Sequence, residues 1–171
     1  IFDFSYDGVM RSVDDSLARL KLDRIDVLHI HDPDDHFDTA LSGAYPALAQ
    51  LRREGVIGAI GVGMNQWEML QGFAVKGNFD CFLLAGRYTL LDRSAEESLL
   101  PMCERKSIAI IAGGVYNSGI LANPRADAKF NYETAPSALV AEAERLETIC
   151  EAHGVPLKAA AIQFPFTHPA V

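Results

Sequence analysis

The stretch IDVLHIHDPDD, residues 25–35, decides the fold. Ile25 to Ile30 is an apolar run with few turn residues, the pattern of a parallel strand covered on both faces. Pro33 forbids its continuation. On a strand, His29 and His31 point to one face and Ile30 to the other. A strand that ends in His31, Asp32 and Pro33 has the form of an active-site rim, which makes His31 a candidate functional residue. Either histidine also reads as a core residue satisfied by a backbone carbonyl.

Working outward, strands and helices alternate. Ser12, followed by Val13, Asp14 and Asp15, predicts a helix start ahead of the Ile25 strand, with Leu17 and Leu20 on its apolar stripe. After a loop at Asp32 to Asp38, a helix with Pro46 in its first turn ends in Arg52-Arg53 and stops at Gly55. A second strand, Ile57 to Val62, runs into GMNQ, and Trp67, Leu70 and Phe73 mark the next helix. Phe79 to Leu84 is the third strand, Ser94 to Lys106 a helix, and Ile108 to Ile111 the fourth strand, followed by Gly113-Gly114. Gly113 to Pro136 is a long polar loop and a candidate lid. Beyond it, Ser137 to His153 reads as an amphipathic helix closed by Gly154, and Pro156 opens another.

This alternation is βαβ spacing with a parallel sheet. A doubly wound sheet normally carries a glycine fingerprint between strand and helix, and neither GxGxxG nor GxxxxGK[ST] occurs. A (β/α)8 barrel instead places its chemistry at the carboxyl ends of several strands. Here HDPD, GMNQ, GRYTLLD and AGGVYNSGIL follow the four strands in turn. A whole barrel needs about 250 residues, so 171 residues correspond to its middle half. The opening at Ile1 and the apolar close AAAIQFPFTHPAV fit an interior piece, one partial-barrel domain spanning residues 1–171.

The 15 basic and 23 acidic residues give a net charge of −8, and no basic run is denser than Arg52-Arg53. That balance argues against nucleic acid and anionic membrane as partners. No apolar run reaches the roughly 20 residues of a bilayer span, so a soluble cytoplasmic protein is expected. Cys81, Cys103 and Cys150 lie far apart, without the short spacings of a zinc or redox motif, and no metal is expected.

LKLDRIDVLHIHDP, REGVIGAIGVGMN, YTLLDRS and the stretch from IIAGG to SGIL, in this order and spacing, resemble the aldo-keto reductase family of NAD(P)-dependent barrel enzymes. FDFSYDGVMRSVDDSLARL, IGVGMNQWEML, LAGRYTLLDRS and NSGIL are most similar to its sugar-oxidising branch, the L-fucose or D-threo-aldose 1-dehydrogenases, with pyridoxal 4-dehydrogenases as near relatives. The resemblance implies hydride transfer between a sugar's C1 and a nicotinamide ring, assisted by an Asp, Tyr, Lys and His tetrad. His31 matches the tetrad histidine, which orients the substrate oxygen. The substrate would be a small sugar or aldehyde and the cofactor NADP or NAD.

The other three tetrad members are expected before Ile1. Asp3 and Tyr6 are not assigned to them, because FDFSYDGVMRS matches the segment leading into the helix before the His31 strand. Asn65 matches an asparagine that pairs with the nicotinamide carboxamide, although Met64 displaces it by one residue; as an isolated residue it also reads as a turn former. Where many members have a glutamine, Ala85 or Gly86 stands. Where many reductases have a stacking tyrosine, Gly113 stands, with Tyr116 a possible substitute. Gly113, Gly114, Asn117, Ser118 and Gly119 read as a cofactor-binding loop whose small residues let backbone amides approach a pyrophosphate, or as an ordinary glycine-bearing turn. Arg87 and Tyr88 stay outside the catalytic set. The segment that separates NAD from NADP is expected after Val171. A non-catalytic nucleotide-binding barrel is the alternative from another functional class.

Overall fold

Ser5 begins the first helix of the computed structural model, which describes residues 2–171. Its hydroxyl accepts the Gly8 N–H at 3.1 Å, and the Asp3 carboxylate holds that hydroxyl in place at 2.6 Å. Helix α1 therefore spans Tyr6–Leu20 and passes straight through Ser12, which is not the helix start that its sequence context predicts. An N-cap satisfies amides that nothing else in the helix can reach. Ser5 does this with Asp3 as its support, a pairing that no short motif announces.

Four strands follow: β1 (Ile25–His31), β2 (Ile57–Met64), β3 (Cys81–Ala85) and β4 (Ala109–Gly113). They pair in sequence order and all in parallel, in register His29–Gly61, Gly61–Cys81 and Cys81–Ala109. Between them lie α2 (Phe37–Thr39) and α3 (Tyr45–Arg53), then α4 (Trp67–Lys76), then α5 (Leu99–Lys106). A wide π turn, Ala40–Ala44, joins α2 to α3 just ahead of Pro46. A proline has no N–H for the residue a turn earlier, and the widened turn accommodates the missing bond. Helix α5 begins later than the sequence predicts, at Leu99, because Asp92 captures the Ser94 N–H and hydroxyl and the Ala95 N–H bonds to the Arg87 carbonyl.

Alternation along the strands separates two faces. Ile30, Ile60, Val62, Met64, Phe82, Leu84 and Ile110 share the main core with Leu48 and Leu51 of α3, Leu70 and Phe73 of α4, and Leu99, Leu100 and Cys103 of α5. Burying each of the larger side chains contributes about 1.5–3 kcal/mol. On the other face, Val27 and Ile111 are each 42% exposed. Helices on one face and an open concave face on the other make these four strands an arc of a (β/α)8 barrel. A smaller core joins Ile120 and Leu121 to α6 (Ser137–Ala152) and α7 (Leu157–Gln163). The chain then returns beside β4, where the Ile110 N–H donates to the Ala170 carbonyl at 2.6 Å. Among the described residues, no helix is long and apolar enough to cross a membrane.

Candidate active site at the carboxyl ends of the strands

His31 is the last residue of β1, and its side chain is 79% exposed. Its Nε2 lies 3.4 Å from Asp32 Oδ2. Asp32 has a φ of 43°, yet its N–H continues the sheet pattern by donating to the Gly63 carbonyl at 3.0 Å. His29 shares the concave face but has a different setting. Its ring lies against the backbone of Gly61, where an added Cβ would come within 2.4 Å of it, and its Nε2 is 3.6 Å from Cys81 Sγ. Burial holds the His29 imidazole below its ordinary pKa and raises the Cys81 thiol, to which the nearby Asp80 charge adds. His29 is half-buried in a setting that favours the neutral ring, and His31 is the more exposed of the two.

Beyond His31 the chain runs through Asp34 and Asp35. Burial, and then the charges of Asp32 and Asp35, raise the Asp34 pKa, and Asp34 Oδ1 has no hydrogen-bond partner among the described residues. Asp3 and Tyr6 have structural partners: Asp3 binds Ser5 and Arg11, and the Tyr6 hydroxyl donates to Gln50 Oε1 on α3.

Asn65 follows β2 directly, and its Nδ2 donates to the Ala85 carbonyl at 3.0 Å, tying the ends of β2 and β3. Beside it lie small residues, Gly63, Ala85, Gly86, Gly113 and Gly114, with the Leu83 side chain against Gly63 and Gly113. Gly86 and Gly114 have positive φ values of 70° and 59°, and a Cβ on Gly114 would fall 3.0 Å from the Gly86 nitrogen. A Cβ on Gly113 would come within 2.9 Å of Leu83 Cδ2. Only glycine allows the two strand ends to approach this closely with that backbone.

The loop after β4 closes over this patch. It carries a hairpin, β5 (Lys129–Phe130) and β6 (Glu133–Thr134), joined by Asn131 and Tyr132, both at positive φ. Two positive φ values suit a two-residue hairpin turn. Arg87 Nη1 donates to Asn131 Oδ1 at 3.0 Å, and the Tyr132 N–H donates to Ser118 Oγ at 2.9 Å. The result is a small cleft, about 30 Å³, lined by Asn65, Ala85, Gly86, Gly114, Asn117, Ser118, Asn131 and Tyr132.

The structure thus brings Asn65, Gly114, Asn117 and Ser118 into one cleft, and Gly113 pairs with Ala85 beside it. Asn117 is 3% exposed. Its Oδ1 accepts from Thr89 and its Nδ2 donates to the Gly86 carbonyl, so its side chain locks two loops together. Gly119 has a φ of 105° and open space around it. Tyr116 packs against the smaller core and does not line the cleft. The exposed aromatic at the cleft is Tyr132, at 83%. Sequence reasoning did not single out Asn131, Tyr132 or Thr89: asparagine hints at a turn, but nothing about a tyrosine announces positive φ. Among the described residues, no group of three or more His, Cys, Asp or Glu side chains is placed to hold a metal ion.

A carboxamide and glycine amides set among small residues are the kinds of group that bind the amide and phosphates of a nicotinamide dinucleotide. Comparison with known proteins defines the class. The aldo/keto reductase family model matches residues 1–171, and the chain belongs to that family. It is 45% identical to the pyridoxal 4-dehydrogenase of Microbacterium luteolum over 182 residues, covering 100% of this chain and 53% of that protein. It is 43% identical to the D-threo-aldose 1-dehydrogenase of a Pseudomonas species, covering 96% of this chain and 51% of that protein. The chain therefore spans about half the length of these curated relatives. Among solved structures, an aldo-keto reductase from Bacillus halodurans in its holo form matches with a TM-score of 0.80 at 25% identity, over 99% of this chain and 56% of that one. The glycerol dehydrogenase of Gluconobacter oxydans shares the fold, with a TM-score of 0.81 over 100% of this chain and 55% of that one.

Proposed function

We propose that residues 1–171 form the histidine-bearing half of an NAD(P)-dependent oxidoreductase that oxidises an aldose of the L-fucose or D-threo-aldose type at C1 to the lactone. The observation that carries this reading is His31, exposed at a strand's carboxyl end in the same row of strand ends as the glycine patch. In this role His31 Nε2 donates a hydrogen bond to the C1 oxygen and orients it. Proton removal from that oxygen falls to a tyrosine–lysine pair on strands outside this segment, since a phenolate is stable near neutrality only beside a cation.

A bound nicotinamide supplies the hydride acceptor. Asn65 would hold the carboxamide, and Gly113 and Gly114 would leave room for the ring. Ser118 and Gly119 would border the phosphates, Asn117 would keep the loop closed by its internal bonds, and Tyr132, in place of Tyr116, would supply an aromatic edge. Barrel strands from a longer parent chain would complete the site, and residues 1–171 expressed alone are expected to be inactive.

The 45% identity to a pyridoxal 4-dehydrogenase favours a second reading, oxidation of pyridoxal on the same site. A panel of aldoses and pyridoxal, read by reduction of NAD⁺ or NADP⁺ with the full-length enzyme, decides between them. Sugar-dependent reduction supports the first reading, pyridoxal-dependent reduction alone supports the second, and no reduction with either refutes both.

A further inference from the structure

Asp32 is the neighbour that His31 meets, and its position is not explained by stability. The two side chains are 79% and 42% exposed and 3.4 Å apart, and an exposed pair of this kind contributes little to stability. The backbone is also unfavourable. Asp32 has a φ of 43° immediately before Pro33, whose ring further restricts the residue ahead of it. The bond from the Asp32 N–H to the Gly63 carbonyl pins the main chain in that geometry. Asparagine or glycine would meet the backbone requirement as well as aspartate does. The conformation therefore calls for a small class of residues, and the negative charge needs another reason.

We propose that Asp32 selects the substrate by accepting a hydrogen bond from the hydroxyl on the carbon next to C1. This rests on the aldose reading above. His31 Nε2 is a donor and Asp32 Oδ2 an acceptor, side by side at one strand end. The two oxygens of a lactol and its neighbouring hydroxyl sit on adjacent carbons, so one accepts from His31 while the other donates to Asp32. An ionised carboxylate is acceptor-only with about four lone-pair sites, and among the described residues its side chain is engaged only on the His31 side. A hydroxyl donating to it forms a charge-assisted bond, roughly twice as strong as a neutral one.

The charge also selects against alternatives. Asp32, Asp34 and Asp35 make the site's approach negative, which favours a neutral polyol and repels a substrate whose hydroxyl has ionised. The ring hydroxyl of pyridoxal, on the carbon adjacent to the one bearing the aldehyde, is acidic, and once ionised it has no proton to donate to Asp32. Asp32 thus separates the two substrate classes that the identities to known relatives leave side by side.

The test compares kcat/KM of the full-length enzyme for an aldose, its 2-deoxy analogue and pyridoxal, in wild type, Asp32→Asn and Asp32→Gly. Both variants tolerate positive φ, so the fold is retained, and agreement between them removes any peculiarity of one. The proposal predicts that wild type prefers the aldose over its 2-deoxy analogue by about 10- to 100-fold, less than the discrimination of a fully buried site because Asp32 is partly solvated. It predicts that both variants lose that preference, mainly through a higher KM for the aldose. Equal losses on both sugars, or an unchanged preference, overturn the role of Asp32 while the aldose reading stands. Oxidation of pyridoxal but of neither sugar by wild type overturns both.

Discussion

The two ends of the sheet use polar residues in opposite ways. At the start of β3, Asp80 Oδ2 accepts the Ile60 N–H at 2.7 Å and a second bond from Arg52 Nη1, while Arg52 also reaches the Asn78 carbonyl. The Tyr45 hydroxyl accepts the Asn78 N–H. Each polar group there serves another part of the same chain. At the carboxyl ends, His31 faces solvent, Asp34 Oδ1 is unpartnered among the described residues, and Asp32, Gly86, Gly114, Asn117 and Ser118 all take positive φ. Polar capacity left unused belongs to the end that works on other molecules.

Breaking the two ends has different expected consequences. The largest effect is on the carboxyl side: His31→Ala in the full-length enzyme is expected to lower kcat by about 10²- to 10⁴-fold. Its stability should shift by less than about 0.5 kcal/mol, because the side chain is exposed. Steady-state kinetics with a parallel urea melt read both quantities. Phe73→Ala does the reverse. Phe73 is fully buried and touches the Phe37 and Phe79 rings, so its loss is expected to cost about 3–5 kcal/mol by urea denaturation. Asp80→Ala, which strands the Ile60 N–H, is expected to cost about 1–3 kcal/mol with kcat preserved in the folded fraction.

A smaller effect sharpens the contrast within one strand. Burial lowers the His29 pKa from 6.5, so folding favours the neutral ring. That contribution is complete above the ordinary pKa and is lost as pH falls through the lowered one, because the unfolded chain then binds the extra proton. Urea midpoints measured from neutral to acidic pH should fall less steeply in His29→Gln than in wild type, and an identical slope would remove His29 from the account. The smallest effect concerns thiols. Burial pushes Cys103 up to about 12, so it should resist alkylation in the native state at neutral pH and react only on unfolding, as followed by mass spectrometry.

The alternation of strands and helices was legible because each strand is a dense apolar run and each helix has an end signal. Gly55, at a φ of 77°, and Gly154, at 68°, both stand where the sequence puts helix stops. The start of α1 was not, since Ser5 works as a cap only with Asp3 holding its hydroxyl. The strand ends moved for a related reason: Met64 and Gly113 continue the pairing, and pairing is a property of the neighbouring strand. His31 could be placed at the rim because Pro33 fixes where the strand stops. The cleft partners Asn131 and Tyr132 could not, because they reach Arg87 and Ser118 across the fold, and the sequence between them carries no record of that approach.

The most direct test of the central claim, that His31 and the glycine patch belong to one oxidoreductase site, is paired nucleotide binding and turnover in full-length wild type and His31→Ala. Binding of NAD(P)⁺ is read by fluorescence titration, and turnover by the appearance of reduced nicotinamide with L-fucose, a D-threo-aldose or pyridoxal. The account predicts nucleotide affinity within about threefold of wild type, about 0.65 kcal/mol, and a collapse of turnover in the variant. Undiminished turnover in His31→Ala, or no reduction of nucleotide by wild type with any of these substrates, would contradict it.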